Sequence, residues 1–144
     1  MIYLLDTNAC IAIVNGRPAS VRARFQTAIA AGGQVNVSTV AAFELWYGVA
    51  KSKKEELNAN RLKSFFAGPM SLLHFDAEDA RISAKIRASL EKIGRPIGAY
   101  DLLIAGQSVH HKFTLVTADG REFTRVRRVS VALAHPRSPD QVQH

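Results

Sequence analysis

The stretch Ile-Tyr-Leu-Leu-Asp-Thr-Asn at residues 2–8 decides the fold class. Its first four residues are continuously apolar, which is typical of a parallel strand that is covered on both faces. Asp6 follows at the carboxyl end of this strand, and residues 8–14 are predicted to form a short helix. A strand that leads directly into a helix indicates an α/β structure with a mainly parallel sheet.

The same alternation continues along the chain. Short β-branched or leucine-rich runs predict strands at 35–37, 71–75 and 114–117, and amphipathic stretches predict helices at 20–31, 39–50, 53–67, 77–93 and about 100–110. Ser38 and Asp76 are the predicted N-caps of two of these helices. The pattern predicts one α/β domain over residues 1–134, with a central, mainly parallel sheet flanked by helices. A polar tail at 135–144 is predicted to be flexible.

Composition sets limits on the class of protein. The chain has 144 residues, of which 47% are hydrophobic and 22% charged, so it has the make-up of a soluble globular domain and not of a disordered or fibrous chain. Its one cysteine, Cys10, cannot form an internal disulfide, which favours a reducing cytoplasm. The longest apolar candidate, residues 39–50, is interrupted by Glu44, and no basic leader precedes Asp6. We therefore expect a cytoplasmic protein with no membrane span.

The charge balance gives the first indication of function. Nineteen Lys and Arg residues against twelve Asp and Glu residues give a formal charge of +7. Such a field attracts polyanions such as nucleic acid or anionic lipid, although charge alone does not choose between them or exclude a merely soluble basic protein.

Four acids follow a predicted strand or lie near the start of a predicted helix. They are Asp6, Glu44, Asp101 and Asp119. In open α/β sheets, ligands bind in the crevice at the carboxyl ends of the strands, so we expect these side chains to converge there. Each acid taken alone has a simpler explanation as a helix cap, a helix-dipole partner or a solvated residue.

Carboxylates gathered in one crevice repel each other and take up protons unless a cation joins them. Mg²⁺ and Mn²⁺ prefer carboxylate oxygens, and a magnesium site normally contacts phosphate oxygens of the substrate as well. The pattern therefore points to metal-assisted hydrolysis of a phosphodiester by an activated water.

Two other functions stay open. An aspartyl-phosphate type phosphohydrolase would use Asp6 as a nucleophile, but that chemistry usually needs a second acid two residues later, where this chain has Asn8. A catalytically silent RNA-binding module would use only the basic surface.

Four segments carry a family resemblance. They are L-L-D-T-N at 4–8, F-E-L-W-Y-G at 43–48, I-G-A-Y-D-L-L-I-A at 97–105 and L-V-T-A-D-G-R-E-F at 115–123. In this order and at these separations the sequence resembles the PIN-domain family, and within it the VapC ribonuclease toxins of bacterial toxin–antitoxin modules. The resemblance extends from residue 2 to about residue 126.

The resemblance implies a PIN-like three-layer fold and an Mg²⁺- or Mn²⁺-dependent endoribonuclease toxin that arrests growth, with tRNA as a possible substrate. Asp6, Glu44 and Asp101 match the metal-binding acids of the family, and Asp119 matches a position that carries Asp or Asn. Asn8 and Thr117 match polar positions that help to order the acidic centre. A homodimer and a VapB-like antitoxin are the implied partners. After Phe123 the sequence departs from the pattern of many relatives, so the resemblance predicts no definite last strand.

The remaining candidates concern RNA and other ligands. Basic side chains beyond the last acid are the predicted RNA contacts, and we expect RNA affinity to fall with added salt. These residues are Arg121, Arg125, Arg127 and Arg128. His110 and His111 lack a second spaced ligand group, so they are interpreted as helix-dipole partners or surface residues. Cys10 is interpreted as a small core residue, and Trp46 and Tyr47 as core or dimer contacts.

Overall fold

The structure is a computed structural model that describes residues 1–118, 120–126 and 129–134. The strands are β1 (Ile2–Leu5), β2 (Gln34–Ser38), β3 (Ser71–Leu73), β4 (Thr114–Thr117) and β5 (Ser130–Leu133). The helices are α1 (Thr7–Asn15), α2 (Ala19–Ala30), α3 (Thr39–Ala50), α4 (Glu55–Phe66), α5 (Ala77–Lys92) and α6 (Ala99–His111). A 3-10 turn covers Phe123–Arg125. The predicted tail at 135–144 lies outside the described residues.

The strands form one five-stranded sheet in the order β3-β2-β1-β4-β5. All four of its described pairings are parallel, and β1 lies at the centre with Leu5 opposite Val37 on one side and Val116 on the other. This arrangement confirms the predicted α/β fold with a parallel sheet flanked by helices. It also places the carboxyl ends of all five strands along one edge.

The core lies along the three central strands. Leu4, Val37 and Leu115 have no exposed surface, because both faces of the sheet are covered by other elements. Burying one such side chain contributes roughly 1.5–3 kcal/mol to folding. The deepest part of β1 is therefore the pair of residues directly before Asp6, which fixes the position of that acid.

Two helix starts agree with the predicted caps. Ser38 Oγ accepts a hydrogen bond of 3.0 Å from the Val40 N–H at the start of α3. Asp76 begins α5 with a capping box, in which its carboxylate accepts from the Asp79 N–H and the Asp79 carboxylate accepts from the Asp76 N–H. A reciprocal cap of this kind satisfies two backbone donors at once and holds the Asp79 side chain in place.

The apolar spacing within the predicted helices at 53–67 and 77–93 places Leu57 and Ile93 on the buried faces, but both side chains are exposed. Leu57 is 45% exposed, because five residues separate it from Leu62 and this spacing rotates it by about 140° around α4. Ile93 is 63% exposed because it lies beyond the end of α5. The structure also contains β5, a last strand that the family resemblance did not predict. Across the described ranges, no helix combines the length and the apolar composition that crossing a bilayer requires.

Candidate active site

Asp6 lies at the carboxyl end of the central strand and is only 2% exposed. Its Oδ1 accepts a hydrogen bond of 2.7 Å from the Ala9 N–H, so the side chain caps α1. Its own N–H donates to the Val116 carbonyl at 2.9 Å, which ties it to β4. The backbone of Asp6 is therefore held by β4, and its carboxylate is held by the first turn of α1.

Glu44 reaches the same place from α3. Its Oε1 accepts a hydrogen bond of 2.6 Å from the Thr7 hydroxyl, although the two residues are 37 positions apart. The contact joins the helix that follows β1 to the helix that follows β2. Thr7, which follows Asp6 in the motif at 4–8, therefore orients one of the predicted metal-binding acids.

Asp101 lies in the first turn of α6 beside a fourth acid, Glu122. A Cβ atom added to Gly98, the N-cap of α6, would lie 3.6 Å from Asp101 Oδ2 and 3.9 Å from Glu122 Oε2. Both carboxyl groups therefore border the same point at the start of α6. Glu122 was not among the predicted site residues, although it lies within the motif at 115–123.

The electrostatics show that these acids influence one another. Burial and a hydrogen bond with Glu122 raise the pKa of Asp101 from its ordinary value of 3.8 to about 7. The negative charges of Glu122, Asp6 and Glu44 act in the same direction. Four carboxyl groups from four segments thus form one acid cluster, defined here as Asp6, Glu44, Asp101 and Glu122.

A divalent cation matches the chemistry of this acid cluster. The donors are all oxygens, which Mg²⁺ and Mn²⁺ prefer over softer ions. The raised pKa of Asp101 reflects a surplus of negative charge that a cation would relieve. The donor set therefore fits the predicted ion.

The same repulsion predicts that Asp101→Asn stabilises the metal-free chain at pH 8. Because the folded-state pKa of Asp101 is about 7 and its ordinary value is 3.8, the folded chain retains a proton that the unfolded chain has lost. Stability therefore falls as the pH rises between about 4 and 7. Removing this carboxylate should raise the free energy of unfolding by on the order of 1 to 2 kcal/mol at pH 8.

Urea unfolding in EDTA at pH 5 and pH 8 measures this effect. The difference between Asp101→Asn and the unaltered chain should be larger at pH 8 than at pH 5. Glu91→Gln is the control, because Glu91 is an exposed acid that pairs with Arg87 on α5. An Asp101→Asn chain that is no more stable than the unaltered one at pH 8 would contradict the prediction.

The remaining predicted site residues differ in their burial and in their contacts. Thr117 is buried at the end of β4, while Asn8 lies in the first turn of α1 with an exposed side chain. Arg121 is exposed next to Glu122, and Arg125 donates to the Pro96 carbonyl at 2.8 Å. Asp119, Arg127 and Arg128 lie outside the described residues. The catalytic, metal-binding, supporting and RNA-binding roles of all these residues stay predictions.

The structure agrees with the interpretation of Cys10 as a core residue, but it places Trp46 and Tyr47 outside the core. Cys10 has no exposed surface, and burial together with the charge of Asp6 raises the pKa of its thiol well above the usual range, which agrees with a core residue. Trp46 and Tyr47, by contrast, are 38% and 59% exposed and so do not belong to the core. Their interpretation as dimer contacts stays a prediction.

The comparisons with known proteins agree with this geometry. A family model described as the PIN domain matches residues 3–129. The chain belongs to the PIN-domain family. Its relatives include the tRNA(fMet)-specific endonuclease VapC of Shigella flexneri, which is 39% identical over 124 residues, or 86% of this chain and 91% of that protein. Ribonuclease VapC2 of Rickettsia felis is 36% identical over 126 residues, or 88% of this chain and 92% of that protein.

Solved structures place this PIN domain in the same group. The structure of VapBC2 from Rickettsia felis bound to a promoter DNA fragment contains a chain with a TM-score of 0.86 and 34% identity, covering 92% of this chain and 98% of that one. DNA-bound VapBC from Salmonella typhimurium gives a TM-score of 0.85 and 30% identity, with 93% and 98% covered. These likenesses confirm the predicted family and the prediction of a VapC-type ribonuclease toxin.

Proposed function

We propose that this VapC-type PIN domain is an Mg²⁺- or Mn²⁺-dependent endoribonuclease that cleaves tRNA in the cytoplasm. The acid cluster carries the proposal, because burial and the neighbouring carboxyl groups raise the pKa of Asp101 to about 7, and a bound cation would stabilise its charged form. The Shigella flexneri relative is named for tRNA(fMet), which makes initiator tRNA the first substrate to test.

In this proposal Asp6, Glu44 and Asp101 hold the ion, and Glu122 adds a fourth carboxyl group. A bound Mg²⁺ ion supplies positive charge to the oxygens of the phosphodiester. The chain contributes a preorganised set of ligands, since Ala9 N–H holds Asp6 and Thr7 holds Glu44. Asp119 is proposed as a further ligand.

The basic residues near the acid cluster would position the RNA strand. Arg121 is exposed beside Glu122, so a phosphate contact there would lie next to the carboxylates. Arg125 anchors the 3-10 turn to the loop before α6 through its bond to Pro96, and it would act from a fixed position. Arg127 and Arg128 are proposed to extend the same basic rim.

The proposed partner is a VapB-like antitoxin, as in the solved VapBC complexes. An apolar groove beside the acid cluster suits an amphipathic segment of such a partner. Its lining includes Ile11, Val14, Leu45, Val49 and Leu62. Glu44 and Arg61 lie on the same groove, and a basic side chain of the partner could pair with Glu44 there. We also propose a homodimer, with the exposed aromatic residues of α3 among its contacts.

The test is cleavage of total RNA and of initiator tRNA by the purified chain in Mg²⁺, in Mn²⁺ and in EDTA, with the cut ends mapped. We expect discrete internal cuts with either ion, loss of those cuts in EDTA, and their suppression by the cognate antitoxin.

Equal cleavage in EDTA would refute the metal requirement. RNA binding without cleavage under any ion would favour the silent binding module instead. A trapped phosphoryl group on Asp6 would favour the phosphohydrolase, although the burial of this carboxylate and its bond to Ala9 argue against attack by it.

A further inference from the structure

A second cluster of metal-binding side chains joins α5 to α6. It consists of Asp79 from the first turn of α5 and the adjacent His110 and His111 from the last turn of α6. One potential ligand atom from each residue lies within 4.8 Å of the others. Nine residues of helix, or roughly 13 Å, separate His110 from Asp101, so this site is distinct from the acid cluster.

Asp79 is held in a fixed orientation. Its side chain has no exposed surface, and its Oδ2 accepts hydrogen bonds from the Asp76 N–H at 2.9 Å and from Gln107 Nε2 at 3.3 Å. These contacts leave Oδ1 directed at the two imidazoles. Supporting bonds of this kind orient the ligands of metal sites in proteins.

Both histidines direct a ring nitrogen at that oxygen. His110 Nδ1 lies 2.6 Å from Asp79 Oδ1, and His111 Nε2 lies 3.5 Å from it. The two rings lie side by side with centroids 4.3 Å apart. His111 Nε2 is buried and makes no hydrogen bond within the part of the chain that the structure describes.

Favourable helix-end charges explain only part of this arrangement. A carboxylate in the first turn of α5 and a cationic ring in the last turn of α6 both suit the helix dipoles, which accounts for the bond between Asp79 and His110. It does not account for His111, whose buried nitrogen faces the same oxygen without a hydrogen bond. A buried ring nitrogen that faces an oxygen at 3.5 Å without a hydrogen bond requires an explanation, and an ion bound between the two atoms supplies one.

We propose that Asp79, His110 and His111 bind a divalent transition ion of the zinc class. Two imidazoles and one carboxylate are a ligand set that zinc sites use, whereas Mg²⁺ prefers oxygen ligands only. Ligand atoms around tetrahedral zinc lie roughly 3.3 Å apart, so His110 must move back by less than 1 Å as the ion replaces the proton between it and Asp79. The histidine side chains are 26% and 25% exposed, which leaves room for a water as fourth ligand.

The ion would clamp α5 to α6 independently of RNA cleavage. Titration of the untagged, metal-stripped chain with Co²⁺, followed by visible absorption, reports the coordination number of the bound ion. Titration with Zn²⁺, followed by calorimetry and thermal unfolding, gives the stoichiometry and the stabilisation. We expect one site per chain, Co²⁺ absorption bands of a low-coordinate site, and a higher Tm with Zn²⁺.

The key variant is His111→Phe, which keeps an aromatic ring against His110 and Phe113 and leaves the Asp79 cap intact. His110→Gln is the second variant, because glutamine can still donate a hydrogen bond to Asp79. Each should weaken Zn²⁺ binding at least about 10-fold and leave RNA cleavage unchanged. Asp6→Asn is the matched control and should leave Zn²⁺ binding unchanged.

The proposal fails if the untagged chain binds no Zn²⁺ or Co²⁺. It also fails if both histidine variants bind them as tightly as the unaltered chain does, or if the single bound ion is lost in Asp6→Asn and retained in His111→Phe. None of these results depends on whether the chain cleaves RNA.

Discussion

Asp6→Asn should reduce metal-dependent RNA cleavage by at least about 100-fold while the fold stays intact, because even residues that only support a metal ligand cost 10- to 100-fold when replaced. Asparagine has the same shape and caps a helix as well as aspartate does, so the bond from the Ala9 N–H to this side chain survives. What the substitution removes is one negative charge from the acid cluster. Loss of activity with retained stability would therefore identify a charge requirement.

Initial cleavage rates of initiator tRNA in Mg²⁺ measure the loss of activity. Circular dichroism and thermal unfolding measure whether the fold is retained. Glu91→Gln serves as the control, since it neutralises an acid on the exposed face of α5. An Asp6→Asn chain that cuts as fast as Glu91→Gln would show that Asp6 holds no essential ion.

Gly106→Ala should destabilise the chain because α5 and α6 pack without room for another side chain. A Cβ atom at Gly106 would lie 1.9 Å from Ser83 Oγ, 3.0 Å from Ser83 Cβ and 3.1 Å from Ser83 Cα. The hydroxyl can rotate away, but the other two atoms require the helices to separate. We expect a loss of about 1–3 kcal/mol in the free energy of unfolding, as for other overpacked sites.

Gly48→Ala is the matched control for this substitution. Gly48 also lies within a helix, but a Cβ atom there would meet nothing within 4 Å, so alanine should raise stability by about 0.5–1 kcal/mol. Ser83→Gly combined with Gly106→Ala removes the two closest atoms and should recover part of the loss. Urea unfolding of the unaltered chain, the two single glycine variants and the double variant measures these differences in stability. A Gly106→Ala chain as stable as Gly48→Ala would contradict the packing argument.

The features of the fold that depend on local pattern could be predicted from the sequence. The apolar run before Asp6 predicts a buried central strand, and Ser38 and Asp76 predict helix starts, because each signal involves residues within a few positions of one another. The inward position assigned to Leu57 was wrong, since the apolar stripe of α4 is narrower than the pattern assumed. A helical pattern identifies a helix more reliably than it identifies the edge of the buried face.

Contacts between distant segments were harder to predict. Glu122 follows β4 in a turn, and no periodicity shows that its carboxyl group meets Asp101 on α6. Asp79 and His110 are separated by 31 positions in the sequence, so no local spacing connects the histidine pair to this carboxylate. The packing of α5 on α6 brings them together. In both cases the missing information is which helices pack together.

The strand order has a consequence for synthesis of the chain on the ribosome. β1 lies at the centre of the sheet, between β2 and β4. It therefore cannot pair with β4 until more than a hundred further residues have been synthesised. Asp6 and Glu44 leave the ribosome long before Asp101 and Glu122 do, because the chain is synthesised from its N-terminus. We expect nascent and truncated chains that lack Glu122 to be inactive, since the full set of carboxylates forms only after this residue has been synthesised.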